Sequence, residues 1–246
     1  MRTRGQPTDA LLLRSAPFGE TDRVVTLLTR EHGKLACIAR GARNSKHRFA
    51  GTLEPLCLLR VSIDERRGGL PVLRASELAR YFSRLLSNRE RMAAAFAALE
   101  LLRELCPEHA PEPEQLELGV ALLAALDDGA TEPIAVLACF ELKALSVAGF
   151  APQLDRCGSC GKRPLPTQSA RFDPVDGHLI CRACGRGSML LSASARSRLV
   201  QALSMSLHEG AAGLTHRDAR AAHDALHAFA EHRIGRALKA RAAAGA

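Results

Sequence analysis

Cys157-Gly158-Ser159-Cys160, then twenty residues, then Cys181-Arg182-Ala183-Cys184 is the pattern on which the reading of this chain turns. Two residues between cysteines allow one tight turn to aim both sulfurs at a single point. Two such turns make a four-thiolate set, which suits a tetrahedral Zn²⁺ ion. Gly161 and Gly185 follow the two pairs and let the chain turn closely there. Between the pairs, Phe172-Asp173-Pro174-Val175-Asp176-Gly177-His178-Leu179-Ile180 reads as strand, turn and strand, a zinc-ribbon hairpin. Four thiolates leave no open coordination position. The ion expected at Cys157, Cys160, Cys181 and Cys184 is therefore a single structural Zn²⁺, and His178 stands outside a full set. A redox role fits less well, because the two pairs are matched and lie away from any strand–helix–strand unit. Cys37, Cys57, Cys106 and Cys139 sit in apolar surroundings and read as small core residues.

Helical patterning flanks this module on both sides. Before it, a cap and an early proline at Thr131-Glu132-Pro133 open a helix that runs to Ala148 and stops at Gly149. That helix is apolar on most sides, as a central buried helix should be. Upstream, residues 81–107 carry Phe82, Leu85, Leu86, Met92, Phe96, Leu99, Leu102 and Leu105 at helical spacing, and a further helix fits 114–126. After the module, a helix capped by Ser192 or Ser194 shows Leu199, Leu203 and Leu207 on one face. Thr215 and Asp218 have capping-box spacing for a last helix. His223 and His227 lie four apart on that helix but lack the glutamate of a His-Glu-x-x-His motif, and read as polar surface.

Residues 1–80 follow another period. Short apolar runs at 10–13, 23–29, 34–39, 53–63 and 70–75 are separated by turn signals at Pro17-Phe18-Gly19, Glu31-His32-Gly33, Gly41 to Gly51 and Gly68-Gly69. Five short strands and one longer basic loop are the content of a small β-barrel. The OB-fold is the commonest nucleic-acid-binding barrel of that size, and an SH3-like barrel fits the same periodicity. The expected class is thus α+β: an N-terminal OB-fold over 1–80, a helical domain over 81–149 and 191–246, and an inserted four-cysteine zinc-ribbon module over 150–190.

Charge is segregated along the chain. Residues 1–98 hold 18 Lys and Arg against 9 Asp and Glu, residues 99–141 hold 1 against 10, and residues 142–246 hold 15 against 7. Genome bias explains the preference for Arg over Lys but not this separation of sign, which suits a polyanion facing one side. Arg40-Gly41-Ala42-Arg43-Asn44-Ser45-Lys46-His47-Arg48-Phe49 is the best phosphate-contact segment, a loop whose cations project from a barrel rim. Single-strand binders usually stack bases on aromatic rings, and the barrel region offers Phe18 and Phe49. Binding should therefore lean on phosphate charge and depend steeply on salt. Arg156, Lys162, Arg163, Arg171, Arg182 and Arg186 around the module read equally as phosphate contacts or as solvated surface.

Several classes fall away. There is no Walker-type phosphate loop and no nucleophile elbow, and no residues converge on a catalytic set, so the chain is not expected to be an enzyme. No stretch reaches the roughly 18 apolar residues of a membrane span. Met1-Arg2-Thr3-Arg4-Gly5 is basic without a following apolar run and cleavage site, so a cytoplasmic location is expected.

The chain also resembles the RecO family over nearly its whole length. Leu11-Leu12-Leu13-Arg14-Ser15 and Gly19-Glu20-Thr21-Asp22 resemble that family's opening strand and turn. Gly33-Lys34-Leu35 and Ala39-Arg40-Gly41-Ala42-Arg43 resemble the next strand and basic loop, and Ser45-Lys46-His47-Arg48-Phe49-Ala50-Gly51-Thr52-Leu53-Glu54-Pro55-Leu56 the segment after it. The most specific likeness is Phe140-Glu141-Leu142-Lys143 followed by Gly149-Phe150-Ala151-Pro152-Gln153-Leu154-Asp155-Arg156-Cys157, a buried helix running into the first cysteine pair. His47 departs from the small polar residue that many relatives carry between the basic ones.

The resemblance implies a DNA repair and recombination mediator of the bacterial cytoplasm, associated with the nucleoid when acting. It implies binding to single- and double-stranded DNA and annealing of complementary strands. It further implies partnership with RecR, and action on DNA coated by single-stranded-DNA-binding protein so that RecA can load. On that reading Arg23, Lys34, Arg40, Arg43, Lys46 and Arg48 neutralise phosphate and hold two strands close, and the acidic segment faces away from DNA or toward a partner. Two rival classes remain: a zinc-ribbon adaptor that binds protein and never touches DNA, and a zinc-dependent hydrolase with an open metal position.

Overall fold

Leu11-Leu12-Leu13 is buried throughout, where a strand with one solvent face would alternate, because this strand is covered on both faces. A computed structural model describes residues 6–45, 47–49, 51–65, 68–185 and 188–240. The first five strands are β1 (Thr8–Phe18), β2 (Asp22–Thr29), β3 (Gly33–Ala39), β4 (Cys57–Asp64) and β5 (Val72–Tyr81). They close in the order β1-β2-β3-β5-β4, antiparallel except where β3 meets β5 at Ile38 and Val72. This is a five-stranded barrel of the OB type. Alternate residues of β3 and β4 point inward: Leu35, Cys37 and Ala39 on one, Leu59, Val61 and Ile63 on the other. They pack with Ala10, Leu12, Val25, Leu27, Phe49, Leu53 and Leu73 in one apolar core.

The outer side of β1 is covered too. Its register shifts between Leu12 and Arg14, a bulge that lets neighbouring leucines face both ways. Leu11 then meets Gly119 and Leu102, and a Cβ at Gly119 would lie 2.7 Å from Leu11 and 2.8 Å from Leu102. Contacts accordingly group Leu102–Val120 with Met1–Ser83 as one compact unit, and Arg84–Leu101 with Ala121–Ala246 as a second. The turn before β3 is tight: Gly33 sits at φ 67°, and a side chain there would overlap the Ala110 backbone. The Thr29 hydroxyl donates to the Gly33 carbonyl at 3.0 Å and accepts from the His32 N–H at 3.0 Å, so the turn's polar groups are satisfied.

The helices are α1 (Arg89–Leu105), α2 (Pro113–Asp128), α3 (Pro133–Val147), α4 (Ala193–Ala202), α5 (Leu207–Ala212) and α6 (His216–Ile234). Helix α3 is buried from Ile134 to Leu142 without a break, the central helix its sequence predicts, and it packs on α6, α5 and α4. Two expectations need correction. The pattern from residue 81 begins as a 3-10 turn over Ser83–Ser87, and the α-helix starts only after Asn88, whose side chain accepts the Arg91 N–H at 2.9 Å. The single helix expected through Leu199, Leu203 and Leu207 is two. Ser206 and Glu209 form a reciprocal capping box that opens α5, so local capping overrides the apolar spacing.

Within the second unit, β6 (Gln153–Cys157), β7 (Ala170–Asp173), β8 (His178–Ile180) and β9 (Met189–Leu191) form a sheet in the order β6-β8-β7-β9. The β7–β8 hairpin turns at Gly177, φ 75°, as the sequence between the cysteine pairs predicts. This small sheet is sewn to the helices at several points. Phe172 meets the Phe229 ring edge-to-face with centroids 6.0 Å apart. Arg233 covers the same ring and donates to the Val175 carbonyl. From α4, Arg196 donates to the Leu165 carbonyl at 2.8 Å.

Candidate functional site

The cysteine module brings all four sulfurs together. The donor atoms of Cys157, Cys160, Cys181 and Cys184 lie within 4.8 Å of one another. Cys160 and Cys181 stand 3.7 Å apart, far beyond a disulfide and close to the roughly 3.8 Å edge of a tetrahedron with Zn–S bonds near 2.3 Å. Backbone geometry makes the cradle. Gly161 N–H bonds the Cys157 carbonyl at 2.9 Å, Gly185 N–H bonds the Cys181 carbonyl at 3.1 Å, and both glycines hold positive φ. Gly158 is needed for another reason: a Cβ there would enter the His178 ring.

The electrostatics of the cluster suit metal binding. Burial works against a Cys157 thiolate, but the N–H groups of Cys181, Cys160 and Ser159 point at it and bring its pKa down to about 6. Hydrogen bonds headed by the Cys184 N–H lower Cys181 as well. Cys184 rises to about 12, chiefly because it hydrogen-bonds Cys181 and Cys160 and keeps the shared proton. A dication would displace that proton and use all four sulfurs. By contrast, burial pushes Cys37, Cys106 and Cys139 up to about 12, which makes them inert core thiols.

At the barrel, four of the six cations expected to meet DNA share one end. Arg23, second in β2, pairs with Ala39 at the end of β3, and Arg40 follows directly. The Arg23 guanidinium donates to Ser15 Oγ at 2.7 Å and lies 3.6 Å from Glu54. Arg43 is exposed on a 3-10 turn over Ala42–Asn44 and donates to the Glu20 carbonyl at 2.9 Å. Arg48, also exposed, donates to the Arg40 carbonyl at 2.9 Å and lies over the Phe49 ring. Asp22 accepts the Gly41 N–H at 2.7 Å, which pins the loop to the β1–β2 turn. Lys46, like Arg186 beside the cysteine module, lies outside the described residues.

Lys34 stands apart. It enters β3 at the opposite end, paired with Leu28, about 17 Å along the strand from Ala39. Its ammonium donates to the Arg103 carbonyl at 2.6 Å, and its own carbonyl accepts the His109 N–H at 2.9 Å. The two aromatics divide as well. Phe49 is 1% exposed and belongs to the core, whereas Phe18 is 55% exposed at the end of β1, beside Asp22 and the basic loop.

The sequence matches two family models, described as Recombination protein O N terminal over residues 1–82 and Recombination protein O C terminal over residues 86–242. The chain belongs to the RecO family. A protein described as DNA repair protein RecO from Anaeromyxobacter sp. (strain K) is 43% identical over 239 residues, 94% of this chain and 92% of that one. The proteins of the same description from Myxococcus xanthus and Geobacter sulfurreducens are 42% and 36% identical, over 94% and 75% of this chain and 93% and 75% of theirs. RecO proteins are mediators of DNA repair and recombination without a catalytic step of their own, and this RecO chain shares that character.

The two histidines of the last helix are not where their spacing suggested. His223 and His227 are 3% and 5% exposed, not surface residues, and they face Glu141 of α3, itself 2% exposed. Their separation on α6 was visible in the sequence, but the carboxylate lies 82 residues away from His223. The available signal was a glutamate inside the long apolar run of that helix.

Proposed function

We propose that this RecO chain binds single- and double-stranded DNA at the loop end of its barrel and anneals complementary strands there. With RecR, it helps RecA load on DNA coated by single-stranded-DNA-binding protein. Residues 1–80 take the DNA, residues 81–149 and 191–246 form the helical body, and residues 150–190 hold one structural Zn²⁺ through Cys157, Cys160, Cys181 and Cys184. Bound there, the ion supplies cross-linking of two turns and no chemistry on a substrate. The setting is the bacterial cytoplasm; among the described residues no helix is long and apolar enough to cross a membrane.

The observation that carries this reading is the gathering of Arg23, Arg40, Arg43 and Arg48 at one end of the barrel, with Phe18 exposed beside them. Two DNA strands repel through their phosphates. Guanidinium groups on a rim release counterions from each strand and lower the cost of bringing both close. Carbonyl contacts hold Arg43 and Arg48 in place without neutralising them, so their charge remains available to phosphate.

The test is annealing of two complementary labelled oligonucleotides with purified zinc-loaded protein. A large acceleration that fades with salt is expected. No acceleration at low salt, with or without RecR, would reject the mediator reading in favour of an adaptor that binds protein alone.

A further inference from the structure

Glu141 sits in the middle of the most buried helix, and burying a carboxylate is costly without partners. Its partners are two imidazoles one helical turn apart on α6. His223 Nδ1 is 3.0 Å from both Glu141 oxygens, and His227 Nδ1 is 3.8 Å from Oε1. The three donor groups all lie within 4.8 Å of one another, and all three residues are more than nine-tenths buried.

We propose that Glu141, His223 and His227 form a second metal site, for a divalent first-row transition-metal ion such as zinc. It is separate from the cysteine centre and built into the helical core.

Geometry supports this first. A tetrahedral ion with bonds of 2.0–2.1 Å to nitrogen and oxygen separates its ligands by roughly 3.3 Å. The observed 3.0 and 3.8 Å bracket that distance. One carboxylate oxygen and one nitrogen from each ring supply three donors. Both elements that carry them are helices packed together, which fixes the donors better than a loop could.

The surroundings support it next. Metal-ligating histidines usually direct their second ring nitrogen at a carboxylate or carbonyl, which sets the tautomer. His227 Nε2 is buried without a hydrogen bond, and Glu231 Oε1, one turn further along α6, lies 3.6 Å from it. Glu231 is itself held by the Leu238 N–H at 2.9 Å. A small shift would complete a Glu231–His227–metal relay. Formal charge agrees: a dication, Glu141 and Glu231 sum to zero. Imidazole and carboxylate donors without sulfur suit zinc, copper, iron or nickel.

The experiment titrates the full-length metal-free chain with Co²⁺ and measures zinc per chain after reloading and gel filtration. Wild-type protein is expected to hold two equivalents. One should show intense thiolate-to-cobalt charge transfer, and the other visible cobalt bands without it. Loss of the thiolate centre alone would leave the second signature in place, so failure of the cysteine site and failure of this one are distinguishable. His227→Gln should lose one equivalent and keep the thiolate spectrum. Wild-type protein that saturates at one equivalent with an all-thiolate spectrum would overturn the proposal. So would a folded H227Q that still holds two. Should H227Q fail to fold, the wild-type cobalt titration decides by itself.

Discussion

The Arg48 guanidinium donates to the Arg40 carbonyl at 2.9 Å, which closes the basic loop so that both side chains leave from one end of the barrel. The two residues therefore have different roles in the same surface. Arg40 is exposed and contributes charge, whereas Arg48 contributes charge and also shapes the loop.

Arg40→Ala combined with Arg43→Ala should flatten the plot of log affinity against log salt. Each phosphate contact on a single strand contributes about 0.7 to that slope, so the pair should lower it by about 1.4. Fluorescence anisotropy across a salt series measures this. An unchanged slope would remove the loop from the DNA surface.

Lys34 should behave differently, because its ammonium is engaged by the Arg103 carbonyl within the barrel unit. Lys34→Met should leave the salt slope as it is and lower stability by about 1.5–3 kcal/mol, in the range of a hydrogen bond from a charged donor. Urea denaturation gives the stability change, and the same anisotropy series gives the slope. A slope that falls with no loss of stability would return Lys34 to the DNA contacts.

That contrast shows what the sequence could and could not disclose. Alternation in 34–39 and 53–63 and the turn glycines are local signals, and the barrel follows them. The cysteine spacing is equally local: each pair spans four residues, and the hairpin between them is contiguous. Lys34 looked like its basic neighbours because the carbonyl that engages it lies 69 residues away. The same holds for Glu141, whose burial among histidines depends on a helix packing that no window of sequence contains. The break between α4 and α5 was legible in Ser206 and Glu209 but competed with an apolar spacing that continues through it.

Metal removal should act on the ribbon through its four sulfurs. Cys181→Ser should cost one equivalent of zinc and lower the melting temperature, because binding free energy at a structural site is folding free energy. Elemental analysis and thermal circular dichroism report the two effects. Unchanged melting in a variant that lacks that equivalent would contradict a structural role.

The edge-to-face pair Phe172–Phe229 joins the small sheet to α6 inside the second unit. Phe229 is 3% exposed, and its ring fills the space a side chain at Gly177 would need. Phe229→Ala should therefore cost about 3–5 kcal/mol, the usual loss for emptying a buried phenylalanine. Amide exchange should rise most across the β7–β8 hairpin, while zinc stays bound through ligands that the change does not touch. Uniform exchange across the whole unit would mean that the ring stabilises the helices rather than the attachment of the sheet.

Phe18 is the exposed ring beside the basic loop, and it separates two modes of DNA contact. A base stacked on an aromatic ring contributes about 1–3 kcal/mol, and that energy carries no counterion release. Phe18→Ala should therefore weaken single-strand binding by at least about fivefold at every salt concentration and leave the slope untouched. Duplex DNA, whose bases are already stacked, should be affected less. Anisotropy titrations with a single strand and its duplex at two salt concentrations make the comparison. Equal losses on both substrates would show that the ring supports the loop's shape rather than stacking on bases, and no loss on either would leave phosphate charge as the whole of the contact.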